Sequence, residues 1–262
     1  MNLVLNDIII NYVAKLIKSL KITDYAGIIV YGSYVGERNN KLSDLDVMII
    51  KENYETQDCG SQIIDGIRIE YFIQDLKRLY ELVKEEINHN DPSHLTKFAT
   101  CEILHDNEGK VAEFINYAKA IYNTKIENTF GDNERFSLFS ISNRIEDLES
   151  LLDDDSFYAV YFVTLEKIRT LYSKIYGIID LPLTKINRIY TDDDFARKYI
   201  SSPVHHLPNA EFINKYLECL KIVQKDAMLS NLKELYSISF NSLGFNSKEF
   251  CLRYTKKAPF KV

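Results

Sequence analysis

The stretch Asp44-Leu45-Asp46-Val47-Met48-Ile49-Ile50 constrains this chain more than any other. Side chains of a β-strand alternate between faces. Asp44 and Asp46 therefore project together, while Leu45, Val47 and Ile49 point the other way into a core. Two carboxylates so close repel unless something positive lies between them, and their proton equilibria are coupled. A divalent cation is the simplest remedy. Mg2+ takes carboxylate oxygens at ~2.0–2.1 Å and fills its other positions with water or substrate phosphates. Two such ions, ~3.5–4 Å apart, clamp the attacking and leaving oxygens of an in-line phosphoryl displacement.

The residues around this stretch fit the same chemistry. Glu70 lies in the apolar β segment IRIEYFI, where a charge has no structural reason to be. It is the candidate third carboxylate, as metal ligand or as general base. Gly32 and Ser33 follow the short apolar strand GIIVY. Glycine lets a phosphate approach the backbone, and the serine hydroxyl and nearby N–H groups can hold its oxygens. Arg38 and Lys41, on the loop between, are placed to offset phosphate charge. Each feature alone has a plain reading: a turn, a strand entry, an exposed glutamate. Their order along the chain is what carries weight.

Residues 3–20 read as an amphipathic helix with Leu5, Ile8, Ile9, Val13, Leu16 and Ile17 on one side. SQIID-G-IRIEYFI reads as two strands around an Asp65-Gly66 hairpin turn. QDLKRLYELVKEEIN is a helix, another begins near Pro92, and CEILHDNEGK supplies a last strand before a helix around 110–123. Past about residue 125 the apolar spacing is helical throughout, with Gly177 as a stop. AEFINKYLECLKIVQKDAMLSNLKELYSISF reads as helical again. The expected fold class is α+β: a small mixed β-sheet domain with flanking helices over 1–124, then an all-helical bundle domain over 125–262.

Composition narrows the partners. The formal charge of −6 argues against non-specific nucleic-acid binding and suits a small, cationic partner. No stretch reaches the ~18 uninterrupted apolar residues of a membrane span, and the N-terminus lacks the features of a signal peptide. Cys59, Cys101, Cys219 and Cys251 have no metal or disulfide spacing and read as buried or half-buried thiols of a cytoplasmic protein.

The pattern Gly32-Ser33, ten residues, Asp44-x-Asp46 resembles the signature of the nucleotidyltransferase superfamily that includes DNA polymerase beta. The helical second half, with YFVTLEKIRTLYSKIYG and PLTK, is similar in layout to enzymes that adenylylate aminoglycoside or lincosamide antibiotics. The resemblance implies Ser33 on the triphosphate, Asp44 and Asp46 on magnesium, Glu70 as third carboxylate, and an active site in a cleft between the two halves. It implies Mg2+, two ions, with a nucleoside triphosphate, ATP, as co-substrate. The acceptor would be a small-molecule hydroxyl. A partner protein, a tRNA end, or nucleotide binding without chemistry are the alternatives. The chain would act as a monomer or homodimer.

Weaker signals have plainer readings. Glu166 is a candidate alternative base, but it also stands three residues before Arg169 as an ion-pair partner on a helix. Lys185 can reach a phosphate or simply face solvent. The runs Asp153–Asp155 and Asp192–Asp194 sit where helices begin. His205 and His206 read as loop. Tyr158, Tyr161, Tyr172 and Tyr176 recur at helical spacing and read first as core.

Overall fold

The computed structural model describes residues 3–35, 43–89 and 93–251. The chain divides into two units, Met1–Thr124 with Ile200–Val204, and Lys125–Tyr199 with His205–Val262.

The first unit opens with helix α1 (Leu3–Leu20), followed by β1 (Gly27–Tyr31), β2 (Leu45–Lys51), β3 (Asp58–Ile64) and β4 (Ile67–Asp75). Helices α2 (Leu76–His89) and α3 (Ser93–Thr100), strand β5 (Glu102–Asp106) and α4 (Lys110–Tyr122) complete it. The five strands run in the order β3-β4-β2-β1-β5. β1 is antiparallel to β2 and β5, β3 is antiparallel to β4, and β2 and β4 are parallel, so the sheet is mixed. Asp65 and Gly66 join β3 to β4 with φ of 50° and 83°, the two positive values of a tight hairpin turn.

Strand alternation divides the sheet cleanly. Ile28, Val30, Leu45, Val47, Ile49, Ile69 and Ile73 share one core with Ile9, Val13 and Leu16 of α1. The opposite face carries Ile29, Met48 and Ile50, all buried, and is met by α3 and α4. Side-chain caps fix where helices start: Asp75 accepts from the N–H of Lys77 and Arg78, and Asp106 from those of Val111 and Ala112.

In the second unit α5 (Asp132–Ser150), α6 (Ser156–Ile175) and α10 (Lys225–Phe240) pack together, with α9 (Ala210–Lys221) on α10. Two short helices, α7 (Leu183–Thr191) and α8 (Asp193–Ile200), lie between. Gly177, at φ 63°, ends α6 as its sequence suggests, and the Ile178 N–H returns to the Ser173 carbonyl at 2.8 Å. Tyr161 and Tyr172 are buried, whereas Tyr158 is exposed. No helix among the described residues is long and apolar enough to cross a membrane.

Two expectations, for Ile8 and for the cysteines, are corrected. Ile8 is 45% exposed, because a 3.6-residue repeat through Ile9, Val13 and Leu16 turns it to the side of the buried stripe. The stretch from Ala210 to Phe240 is helical as expected, in two helices, since Ile222 is extended (ψ 141°) and Val223 projects into solvent. Of the cysteines, only Cys101 and Cys219 are buried; Cys59 and Cys251 are exposed. The side chain of Leu5, the helix start at Pro92 and the basic tail after Cys251 lie outside the described residues.

These differences are measurable. Leu16→Ala should destabilise the protein by about 2–5 kcal/mol in urea denaturation, as expected for a fully buried leucine. Ile8→Ala should cost less than about 0.5 kcal/mol.

Candidate functional site

One row of paired residues crosses four strands. Tyr31 of β1 stands opposite Asp46 of β2, Asp46 opposite Glu70 of β4, and Glu70 opposite Ser61 of β3. Register partners point to the same face, so Asp46 and Glu70 project side by side from strands ~4.8 Å apart. They emerge on the face away from α1, where α3 brings Lys97 over the rings of Tyr31 and Phe72.

The backbone at Gly32 belongs to this arrangement. Gly32 opens a single 3-10 turn, Gly32–Tyr34, at φ 76°. A Cβ there would lie 2.0 Å from the Asp46 carboxylate oxygen. Glycine is thus required twice over, by the left-handed backbone and by the carboxylate that fills the space. Ser33 follows in the same turn, half-buried.

The electrostatics record how close the acids stand. Burial foremost, then the charges of Asp46 and Glu70, push the Tyr31 phenol far above its ordinary range. Its hydroxyl is buried and lacks a hydrogen-bond partner among the described residues. Asp44 sits two residues before Asp46, half-buried. Its charge acts on Tyr34, whose phenol is raised by burial, by Tyr12 and by Asp44 in that order.

Glu70 is half-exposed and ion-paired to Arg68 at 2.6 Å, with the Arg68 side chain 60% exposed. An exposed pair of this kind contributes little and gives way easily. Among the described residues no three His, Cys, Asp or Glu side chains form a metal-holding group. The structure therefore brings Asp46 and Glu70 together and leaves Asp44 beside them at the mouth of β2. Their hard oxygen donors fit Mg2+ better than a soft metal.

The other candidates divide. Arg38 and Lys41 lie outside the described residues. Lys185 is in the second unit, on α7, exposed, with Nζ 5.3 Å from the Tyr199 ring. Glu166 is engaged by Arg169 at 2.9 Å, and Arg169 also bonds Asp180 at 2.6 Å, which favours the structural reading. Asp155 and Asp193 stand at the starts of α6 and α8, and His205 and His206 are in a loop, as their plainer readings hold. Tyr31 is the residue that sequence reasoning passed over. Its parity with Asp46 was available, but its partner strand was not.

The sheet, Gly32-Ser33 and all three acids fall within residues 10–122, which match the nucleotidyltransferase domain family. Residues 10–122 belong to the nucleotidyltransferase superfamily. Among solved structures, a nucleotidyltransferase-like protein from Exiguobacterium sibiricum 255-15 is similar over 84% of this chain and 71% of its own, at 11% identity and a TM-score of 0.41. No curated protein matches the sequence.

Gly32→Ala provides a direct test of the turn. It should lower unfolding stability by about 1–3 kcal/mol through backbone strain and displacement of Asp46. Nucleotide-dependent thermal stabilisation should fall with it, both read from melting curves.

Proposed function

We propose that this nucleotidyltransferase-domain protein transfers a nucleoside monophosphate, AMP from ATP, to a hydroxyl of a small molecule and releases pyrophosphate. The observation that carries the reading is the in-register pair Asp46–Glu70 beside Gly32. Asp44 and Asp46 would hold Mg2+ with Glu70 beside them as general base, and Ser33 and the Gly32 backbone would hold the triphosphate. Bound Mg2+ supplies charge neutralisation at the phosphate oxygens and the leaving group.

The bond changes balance. The acceptor oxygen forms a bond to the α-phosphorus, the bond from that phosphorus to the bridging oxygen of the β-phosphate breaks, and pyrophosphate departs with its electron pair. Glu70 takes the acceptor proton, because it is half-exposed, on the acid face, and restrained only by a surface arginine. The net charge of −6 favours a cationic acceptor of the aminoglycoside kind. Residues 1–124 would supply the chemistry, in the cytoplasm.

The experiment is incubation with labelled ATP and magnesium, alone, with an aminoglycoside and lincosamide panel, and with cell lysate. Label should enter a small molecule. Label entering protein or RNA instead would replace the acceptor half of the proposal and leave the chemistry. Asp46→Asn should reduce turnover ~10²-fold or more at unchanged fold; full activity in that variant would refute the mechanism. Glu70→Gln should lower the rate ~10²-fold or more with nucleotide affinity nearly unchanged. A large loss of metal affinity would make Glu70 a ligand instead.

A further inference from the structure

The acid face carries a cation that none of the expected phosphate contacts includes. Lys97 projects from α3 with Nζ 5.6 Å from the centre of the Tyr31 ring and 5.9 Å from that of Phe72. Phe72 lies two residues from Glu70 on the same strand and the same face. Lys97 is half-buried, and no carboxylate among the described residues is in ion-pair contact with it. An ammonium over the two strands that flank Asp46, with aromatic faces as its contacts among the described residues, has unused donors.

α3 is held firmly enough to aim it. The buried Glu86 carboxylate accepts from the backbone N–H of His94 and Leu95, at 2.9 Å each, and so caps the helix. Phe98, one residue past Lys97, is fully buried, its ring centre 4.9 Å from that of Phe114. Beneath the ammonium, Tyr31 is 2% exposed and its hydroxyl is unpartnered. Buried hydroxyls nearly always find a partner, so an orphan beside a catalytic pair points to a group that arrives with the substrate.

We propose that Lys97 and Tyr31 form a polyphosphate-binding pair, donating from the ammonium and the phenol hydroxyl to oxygens of the nucleotide's phosphate chain. The pairing makes the site bipolar. Acids take the cation that accompanies a triphosphate, and the lysine takes part of the anion's remaining charge. The inference rests on the nucleotide-transfer reading above.

Calorimetric titration of the full chain with magnesium pyrophosphate and with magnesium ATP tests it. Lys97→Met keeps the aliphatic stem over the rings and removes the charge. It should weaken both ligands by at least about tenfold, the low end for a lost charge-assisted contact, with the ligand-free melting temperature unchanged. Lys97→Arg should restore most of the affinity. Tyr31→Phe should weaken both ligands while leaving the ligand-free melting temperature equal or higher, because it deletes an unsatisfied group. Unchanged affinity in Lys97→Met overturns the proposal while wild-type binding leaves the nucleotide reading intact. A lower ligand-free melting temperature in Tyr31→Phe would show that the hydroxyl has a structural partner and would remove Tyr31 from the pair. A wild-type protein that binds neither ligand overturns both readings together.

Discussion

Parallel pairing of β2 with β4 sets Asp46 against Glu70, and the rest of the first unit is arranged around that juxtaposition. A slip of one residue in this register would turn one of the two acids into the α1 core, where Leu45, Val47, Ile69 and Ile73 now lie. The register is therefore fixed by apolar packing on one face while its chemical consequence appears on the other. Leu16, Val13 and Ile9 of α1 never approach the acids, yet they decide where the acids point.

The acid face violates several local rules at once. Two like charges stand abreast, a glycine holds a left-handed backbone against a carboxylate, and a buried phenol lacks a partner. Each costs stability, and for Glu70 Arg68 offers only a surface ion pair. Such conflicts, gathered in one place, are what a candidate site on the sheet is expected to show. The second unit shows the contrast. There Glu166, Arg169 and Asp180 satisfy one another, and a candidate base is consumed by structure.

Much of this was legible because it follows from period. Alternation in DLDVMII turned Asp44 and Asp46 away from the core, the charge of Glu70 stood out in an apolar segment, and Asp65-Gly66 fixed the hairpin between β3 and β4. What alternation cannot supply is which strands are neighbours. Asp46 and Glu70 are 24 positions apart in sequence, with β3 between them, and only the strand order β3-β4-β2 makes them adjacent. Lys97 was illegible for a related reason. Its meaning comes from the tertiary approach of α3 to the end of β1, not from its own helix, where it reads as one more surface lysine. Ile8 and the break after Lys221 were missed because helical pattern alone does not say how wide a buried stripe is or where a helix stops.

In the proposed site α3 has a part that the sheet alone cannot fill. Asp46 and Glu70 attract a cation, but a cation alone does not orient a phosphate chain. Orientation requires a second fixed charge of opposite sign at a set distance. A lysine on a loop would supply the sign without the distance. On α3 the distance is set by Glu86 at the helix start and by Phe98 against Phe114, both built from buried groups that solvent cannot loosen. A buried carboxylate such as Glu86 is expensive unless its oxygens are filled, and the backbone N–H groups of His94 and Leu95 fill them. The helix cap and the aromatic contact thus join the sheet register as a second positional constraint on the same face.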